Sequence, residues 1–360
     1  MMSNFHGSDV EKIAGLYQVQ PQDLINFGVN ANPLGLPAKA KQALAEQIEL
    51  FSRYPDPEYA QLKNALSRYL AVDFARILPA SGTSELIHQV IRHFAPKKAL
   101  LYTPTYSEYA SDVRRQGGQV LELPLVKDNH FQFPAAEFHR LLESADFVLL
   151  CNPNNPTATL LSAEELAPLI GRAQEKQIPF IIDETYIEFT EQPQKYSAIS
   201  LIRQFSNLII LRGFSKFFAA PGLRLGYAVF GNPDWLQSLQ SGYPWGVHAL
   251  AAYAGEVFLE DQDYIQTSHR FVQAEKKRIS TFLEALPNLT VYPATANFFL
   301  LELQRQNATD LFLYLLHRGL LIRNFHDEIG PGFFRFCILD QASNTRLLEA
   351  IADFVKGAES

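Results

Sequence analysis

Short apolar runs that alternate with amphipathic stretches between about residues 75 and 230 place the strongest constraint on the fold. Unbroken aliphatic runs bounded by polar residues are typical of parallel strands covered on both faces. One intervening stretch opens with Ser162-Ala163-Glu164-Glu165, a capping box that predicts a helix start. This order predicts an open α/β sheet. The apolar runs are Ala99–Tyr102, Phe147–Cys151, Ile178–Ile182, Leu208–Leu211 and Leu225–Phe230.

The pattern changes after about residue 235, which predicts a second domain. A long helical stretch, Ala249–Leu286, comes first, and a helix over Asn344–Val355 comes last. We therefore expect an N-terminal arm (1–35), a large domain (36–235) and a smaller α+β domain (236–360) that packs with the arm. The strand-like stretches of the second domain are Leu289–Tyr292, Phe298–Leu303, Leu320–Arg323 and Phe333–Leu339.

Composition and charge exclude several classes of function. The chain of 360 residues is 47% hydrophobic and 19% charged, as globular proteins are. Its net charge of −7 argues against a nucleic-acid partner. No apolar run reaches the roughly eighteen residues of a membrane span, and the first residues lack a secretory pattern. Cys151 and Cys337 lie in apolar runs, as buried thiols of a reducing compartment do. We expect a cytoplasmic protein without a metal site.

Polar side chains follow several predicted strands, at the edge where open α/β sheets bind ligands. Asp183 follows Ile178–Ile182, where a carboxylate can keep a cofactor's ring nitrogen protonated, although a helix N-cap is the alternative. Tyr186, in the following turn, could reach the same ring. Asn155 lies in the rigid loop Asn152–Thr157 and could donate to a phenolic oxygen, but such a loop could equally be a plain turn.

Two further segments combine groups that bind phosphate. Ser81-Gly82-Thr83-Ser84 precedes an amphipathic helix, Glu85–Phe94, whose free N–H groups suit an anion, but serine and threonine are also ordinary caps. Lys216 follows a strand at the same edge, where burial turns an amine into a nucleophile, whereas most lysines are solvated surface charges. Ser215 and Arg224 lie near Lys216 in sequence, and arginine suits phosphate geometry.

Six motifs occur in a fixed order along the chain: Ser81–Glu85 (SGTSE), Pro104–Tyr106 (PTY), Asn154–Thr157 (NNPT), Asp183–Tyr186 (DETY), Ser215-Lys216, and Pro221–Tyr227 (PGLRLGY). Together they resemble fold-type I enzymes that depend on pyridoxal 5′-phosphate (PLP), closest to the histidinol-phosphate aminotransferase group. The resemblance extends over essentially the whole chain. It implies aminotransferase fold type I, with a large α/β domain around a mainly parallel, seven-stranded sheet and a smaller α+β C-terminal domain.

The resemblance implies a role for each matching residue. Lys216 is the amine to which PLP is covalently attached, Asp183 pairs with the pyridine nitrogen, and Tyr186 contacts the ring hydroxyl; these three are the catalytic residues. Tyr54 matches a residue that a second subunit donates to the cofactor phosphate, which implies a homodimer. The remaining cofactor contacts are Asn155 on the ring hydroxyl, Tyr106 stacked on the ring, and Gly82, Thr83, Ser84, Ser215 and Arg224 around the phosphate.

Two positions depart from the family pattern. Ala158 stands where the family usually has glycine after Asn-Pro-Thr. Gly213 stands where it usually has serine or threonine, so we expect one hydroxyl fewer at the cofactor phosphate. Neither departure affects Lys216.

Within this group the chain is most similar to the L-threonine-O-3-phosphate decarboxylase family. The stretches that match are His6-Gly7, Asn30–Gly35, Tyr243–Val247, Ala249–Ala252 and Ala254–Val257, whereas Tyr186 and Ser8 depart from that family. The substrate contacts that this resemblance implies are His6, Gly7, Asn30, Asn155, Arg323 and Arg335. Read without it, His6 is a disordered terminal residue and the two arginines are structural partners of acidic residues.

Two reactions fit these residue types. PLP weakens whichever Cα bond lies perpendicular to its ring, so the orientation of the substrate carboxylate selects the reaction. We predict decarboxylation of threonine phosphate, or serine phosphate, to an amino-alcohol phosphate in cobalamin biosynthesis. The alternative is transamination between histidinol phosphate, or a similar donor, and 2-oxoglutarate. A binding module that keeps the fold without the chemistry is a third hypothesis. An unrelated nucleotide-binding protein would need a G-x-G-x-x-G or Walker pattern, and neither occurs.

Overall fold

The computed structural model describes residues 9–241 and 245–357. The predicted substrate contacts His6 and Gly7 lie outside these residues, as do Ser8 and part of the Tyr243–Val247 match. The strands are β1 (Ile25–Asn26), β2 (Ile77–Ala80), β3 (Lys98–Thr103), β4 (Gln119–Pro124), β5 (Phe147–Cys151), β6 (Phe180–Asp183), β7 (Leu208–Gly213), β8 (Gly226–Phe230), β9 (Leu289–Val291), β10 (Phe298–Leu303), β11 (Leu320–Leu321), β12 (Arg323–Asn324) and β13 (Phe333–Cys337).

Helices cover the sheets and connect most of the strands. They are α1 (Val10–Tyr17), α2 (Ala38–Glu46), α3 (Ala60–Leu70), α4 (Thr83–Phe94), α5 (Ser107–Arg115), α6 (Ala135–Leu142), α7 (Ala163–Glu175), α8 (Pro193–Tyr196), α9 (Pro233–Gln240), α10 (Ala249–Glu260), α11 (Gln262–Glu284), α12 (Ala308–Leu316) and α13 (Gln341–Gly357). The capping box predicted at Ser162 is present at the start of α7. Within residues 9–241 and 245–357, no helix combines the length and apolarity needed to cross a membrane.

A seven-stranded sheet in the order β2-β8-β7-β6-β5-β3-β4 lies at the centre of the large domain. β8 runs antiparallel to both neighbours, and the other neighbouring pairs are parallel. The α/β class and the mainly parallel sheet are therefore as predicted. The five predicted runs became β3, β5, β6, β7 and β8. The edge strands β2 and β4 were not predicted, because Pro79 and Glu122 interrupt their apolar pattern.

A second, antiparallel sheet in the order β12-β13-β10-β9 forms the centre of the C-terminal part of the chain. The predicted strand Leu320–Arg323 is two short strands in different sheets. β11 pairs in parallel with β1 of the N-terminal arm, and β12 pairs with β13. The pairing of β11 with β1 joins the N-terminal segment to the C-terminal part of the chain.

The predicted helical stretch Ala249–Leu286 divides at Asp261, whose carboxylate caps the start of α11 by accepting the Tyr264 N–H. The first half, α10, packs against α2 and α3 of the large domain. At Gly255 the contact is close, because an added Cβ would lie 2.7 Å from Leu62 Cδ1 and 2.8 Å from Leu225 Cδ2. Helix α10 therefore packs within the large domain, although its sequence lies beyond residue 235.

Buried side chains fill both faces of the central sheet. Alternate residues of β5 show this, because Val148 and Leu150 join one apolar cluster while Phe147, Leu149 and Cys151 join the other. One buried ion cluster interrupts this apolar core. Arg212 Nη2 donates to Glu184 Oε2 at 2.7 Å and Arg212 Nη1 to Glu188 Oε1 at 3.3 Å.

The contact at Gly255 gives a stability test. We expect Gly255→Ala to destabilise the protein by about 1–3 kcal/mol, because the added methyl group overpacks α10 against α3. Gly15, an exposed residue of α1, has no atom within 4 Å of an added Cβ. Gly15→Ala should therefore stabilise by up to about 1 kcal/mol through helix propensity. Urea unfolding of both variants checks this, and equal effects would contradict the packing described.

Candidate active site

A cavity of about 340 Å³ opens at the carboxyl ends of β5, β6 and β7. The strand register aligns Cys151 with Asp183, and Asp183 with Leu211. Because parallel strands end at the same edge, the side chains that follow them meet there. The predicted site residues that line the cavity are Asn30, Thr83, Ser84, Tyr106, Asn155, Asp183, Tyr186, Ser215, Lys216, Arg224, Arg323 and Arg335.

Lys216 extends its amine into this cavity from the segment that follows β7. Its Nζ donates a hydrogen bond to the Val29 carbonyl oxygen at 2.6 Å. Burial, assisted by the positive charges of Arg335 and Arg224, lowers the pKa of Lys216 to about 8. Much more of this amine is therefore neutral and nucleophilic at physiological pH than in an exposed lysine.

Asp183 is the buried acid of the cavity, with 4% of its surface exposed. Its Oδ1 accepts hydrogen bonds from the Thr185 N–H at 2.9 Å and the Thr185 hydroxyl at 2.5 Å. Its Oδ2 accepts one from the Tyr109 hydroxyl at 2.7 Å. Burial raises the pKa of Asp183, and these donors oppose the shift. A carboxylate supported in this way can hold a protonated nitrogen in the cavity.

Tyr186 and Asn155 are each held by a neighbouring side chain. Asn30 Nδ2 donates to the Tyr186 hydroxyl at 3.3 Å. Arg335 donates through Nη1 to Asn155 Oδ1 and through Nη2 to the Gly28 carbonyl oxygen at 2.8 Å. Burial raises the pKa of Tyr186, so that its hydroxyl remains a neutral donor at physiological pH.

The N-terminus of α4 forms another wall of the cavity. Gly82 has a φ of 94°, and an added Cβ there would lie 2.6 Å from Arg224 Nη2. Backbone and guanidinium therefore approach closely, as only glycine permits. Thr83 and Ser84 begin the helix, whose first N–H groups and positive dipole end suit an anion.

The structure shows what surrounds Gly213 and Ala158, the two positions that depart from the family pattern. An added Cβ at Gly213 would overlap the Thr83 hydroxyl oxygen. The Thr83 hydroxyl therefore occupies the space that a serine at position 213 would need. Ala158 has a φ of 57°, the left-handed conformation that glycine adopts with less strain.

Two arginines lie directly opposite each other at the far side of the cavity. Arg323 on β12 and Arg335 on β13 are paired in register. The Phe325 ring contacts both, with its centroid 5.3 Å from Arg323 Cζ and 5.8 Å from Arg335 Cζ. Burial, together with the charge of Arg323, lowers the pKa of Arg335 to about 10. Like charges opposite each other destabilise a sheet, so this pair favours an anionic ligand.

Tyr109 lines the cavity and was missed by the sequence analysis. It lies in α5 three residues after Tyr106, and the two rings meet edge to face with centroids 5.4 Å apart. Spacing of three residues places side chains on the same face of a helix. That spacing, in Pro-Thr-Tyr-Ser-Glu-Tyr, was the available signal.

Tyr54 does not line the cavity of its own chain and is 86% exposed. Its ring centroid lies 5.7 Å from that of Trp245, which is 51% exposed. Nearby in sequence, exposed Phe51 stacks on His248 with a centroid distance of 5.7 Å. These four residues, which we call the aromatic patch, give the surface an apolar character unusual for a solvated face.

The architecture is that of fold-type I aminotransferases. The histidinol-phosphate aminotransferase of Clostridium acetobutylicum superposes with a TM-score of 0.85 at 31% identity, covering 92% of this chain and 97% of that one. The L-threonine-O-3-phosphate decarboxylase of Porphyromonas gingivalis gives 0.81 at 27% identity, covering 92% and 99%. The predicted fold class is thereby confirmed.

The chain belongs to the aminotransferase class I and II family, whose sequence model matches residues 22–351. It is 33% identical over 360 residues to the threonine-phosphate decarboxylase of Salmonella typhimurium, covering 99% of this chain and 98% of that protein. Membership of this family confirms the predicted resemblance, and with it a PLP-dependent enzyme.

The donor set of the cavity fits PLP. A desolvated amine on Lys216 suits the aldehyde, the buried Asp183 carboxylate suits a protonated ring nitrogen, and the α4 N-terminus with Arg224 suits the phosphate. In the part of the chain that the structure describes, no group of three or more histidine, cysteine, aspartate or glutamate side chains could hold a metal ion.

The Gly213–Thr83 contact gives a test of the phosphate end. We expect Gly213→Ser to raise the dissociation constant of PLP by roughly tenfold or more, because the new side chain displaces Thr83 at a cost of about 1–3 kcal/mol. Thr83→Ala in the same chain should restore binding, because it frees the space and the new serine hydroxyl takes the place of the lost threonine hydroxyl. Gly222→Ser is the control, since an added Cβ there meets open space. Equal PLP affinity in the single variants would contradict the overlap.

Proposed function

We propose that the protein decarboxylates L-threonine O-3-phosphate, or serine phosphate, to an amino-alcohol phosphate, using PLP. One observation carries the proposal: a single cavity combines Lys216 and Asp183 with the paired arginines Arg323 and Arg335. A substrate with a carboxylate and a phosphate presents the two anions that such a pair would bind. The similarity to two threonine-phosphate decarboxylases supports this choice. We also propose a place in cobalamin biosynthesis and in the cytoplasm.

Transamination of histidinol phosphate with 2-oxoglutarate is the second candidate. The 31% identity to the Clostridium acetobutylicum aminotransferase favours it, as does Tyr186, which aminotransferases share. Histidinol phosphate itself carries no carboxylate, so one arginine of the pair would serve only the 2-oxoglutarate half of that reaction. Threonine phosphate would use both arginines at once, and we therefore rank decarboxylation first.

In this proposal different residues of the cavity would bind different parts of PLP. Bound PLP supplies an electron sink for the pair released when a bond to the substrate Cα breaks. Asp183 would keep a proton on the ring nitrogen, and Tyr106 would stack on the ring. Asn155 and Tyr186 would donate to the ring hydroxyl oxygen. The phosphate contacts are Gly82, Thr83, Ser84, Ser215 and Arg224.

The paired arginines would orient the substrate. Arg335, fixed by Asn155 and Gly28, binds the carboxylate, and Arg323 binds the phosphate. Burial lowers the pKa of Arg323, and the charges of Glu328 and Asp9 oppose the shift. Asp9, the first residue that the structure describes, therefore lies near Arg323. His6 and Gly7 remain proposed substrate contacts on the resemblance alone. Asn30 would complete this end.

Lys216 would return the proton after CO2 leaves. Decarboxylation breaks the bond between Cα and the carboxylate and leaves its electron pair behind, so one proton must be added to Cα. The Lys216 amine, with a pKa lowered to about 8, is still largely protonated at neutral pH and can donate it. Its Val29 contact holds the amine at the cavity wall.

The reaction itself gives the central test. We expect the purified protein to turn yellow with PLP and to release CO2 from O-phospho-L-threonine in equal amount to aminopropanol phosphate. Lys216→Ala should be colourless and inactive. Formation of glutamate from histidinol phosphate and 2-oxoglutarate, without CO2, would establish the second candidate instead. A wild-type protein that stays colourless with PLP would falsify both.

Substitution of one arginine tests substrate orientation. We expect Arg323→Gln to raise KM for O-phospho-L-threonine by roughly tenfold or more, because a charge-assisted contact to the phosphate is lost. Its affinity for PLP should not change. Arg318→Gln is the matched control, since Arg318 is exposed and packs on Tyr314 outside the cavity. An unchanged KM in Arg323→Gln would remove Arg323 from the substrate site.

We also propose a homodimer in which Tyr54 reaches the PLP phosphate of the partner. Tyr54 is exposed and absent from the cavity of its own chain, and the aromatic patch around it needs a cover. A second copy of this chain is the occupant that also completes the phosphate site.

Mixed dimers distinguish contact across the interface from contact within one chain. Chains carrying Lys216→Ala and chains carrying Tyr54→Ala should each be nearly inactive alone. If Tyr54 acts across the interface, the mixed dimer contains one site with both residues intact, and activity should return to about half that of a wild-type dimer. If the mixture stays inactive although mixed dimers form, Tyr54 does not act in the partner's site.

A further inference from the structure

The hydroxyl of Tyr109 is the contact of Asp183 that neither the sequence motifs nor the proposed chemistry employs. Tyr109 is 1% exposed and donates to Asp183 Oδ2 at 2.7 Å. It comes from α5, whereas the other two donors to the carboxylate come from Thr185, two residues after Asp183 itself. Tyr109 is therefore the contact that ties Asp183 to a different element of the fold.

The acceptor positions of Asp183 decide what else the carboxylate can bind. An ionised carboxylate offers about four lone-pair sites on its two oxygens. The Thr185 N–H and hydroxyl occupy Oδ1, and Tyr109 occupies one position on Oδ2. The remaining position is on Oδ2, and the Asp183 side chain lines the cavity. Tyr109 thereby directs the free lone pair of Asp183.

We propose that Tyr109 is a positioning residue for the PLP ring nitrogen, acting through Asp183. Its hydroxyl fixes the direction of the carboxylate and favours the ionised form, which then keeps the proton on the ring nitrogen. This inference rests on the PLP site of the proposed function and adds a residue whose hydroxyl acts through Asp183. The effect is on the strength of the electron sink rather than on substrate binding.

The surroundings of Tyr109 fit a fixed donor. Burial raises the pKa of Tyr109 well above its ordinary value, so the hydroxyl keeps its proton throughout the physiological range. The other polar group beside it is the Cys151 thiol, which is also neutral because burial raises its pKa. Near Asp183, the charged groups are Glu184 and Lys216. The Tyr109 ring packs edge to face against Tyr106, whereas its hydroxyl donates to Asp183. The ring and the hydroxyl therefore have separate roles.

Tyr109→Phe separates the two tasks, because it keeps the ring and removes the hydroxyl. In the holoenzyme loaded with PLP labelled with 15N at the ring nitrogen, we expect the nitrogen resonance to move toward neutral pyridine. The dissociation constant of PLP should rise, and kcat should fall, each by roughly tenfold for one lost charge-assisted hydrogen bond. KM for O-phospho-L-threonine should stay within about twofold, because the arginine pair is untouched.

Two further variants make the result decisive. Tyr292→Phe removes a tyrosine-to-carboxylate bond of the same kind, 2.8 Å to Glu302 Oε2, outside the cavity, and should leave the 15N resonance unchanged. Thr185→Val removes a second donor to Asp183 and should move the resonance in the same direction as Tyr109→Phe. An unchanged resonance in Tyr109→Phe overturns the inference, even if thermal stability drops. Failure of the wild type to bind PLP sinks the proposed function instead.

Discussion

The burial of one carboxylate, Asp183, is the constraint on which the arrangement of the site depends. A buried charge is stable only when donors compensate for the lost water. Here the donors come from the turn after β6 and from α5, and they hold the carboxylate at the junction of three parallel strands. The cavity forms where those strands end, so the position of the buried acid follows from the topology of the sheet.

The ion cluster beside Asp183 shows how the fold keeps adjacent charges apart. Glu184 follows Asp183 directly but pairs with Arg212 in the core. Of the two neighbouring acids, Asp183 therefore lines the cavity, while Glu184 and Glu188 neutralise Arg212 away from it. Replacing Asp183 should therefore have a different consequence from replacing Glu184, since the first lines the cavity and the second pairs with Arg212 in the core.

The sequence predicted the parts of this structure that leave a pattern in residue types. Fully buried strands such as β5 have unbroken apolar runs, and the motif residues around Lys216 meet because parallel strands end together. The edge strands β2 and β4 were not predicted, because edge strands tolerate proline and polar residues. The role of Tyr109 was not predicted either, because a buried tyrosine resembles any aromatic residue of the core until its hydrogen-bond partner is known.

Backbone contacts were beyond any prediction from residue types. Three consecutive residues of the N-terminal segment each hold one side chain of the site: Gly28 binds Arg335 and Val29 binds Lys216 through carbonyl oxygens, and Asn30 binds Tyr186. Every residue has a carbonyl group, so Gly28 and Val29 carry no signal in the sequence. The short pairing of β1 with β11 brings this segment to the cavity.

The overlap between positions 213 and 83 has a consequence for how such a site can diverge. Gly213 comes from β7 and Thr83 from α4, but the two residues share one small volume. Neither side chain can therefore become larger unless the other becomes smaller. Among relatives, a hydroxyl-bearing side chain at position 213 should therefore accompany a smaller or redirected side chain at position 83. Either single substitution would then be unfavourable by itself. Enlarging position 213 first would crowd the site, and reducing position 83 first would leave a void. We therefore expect the two substitutions to be inherited as a pair.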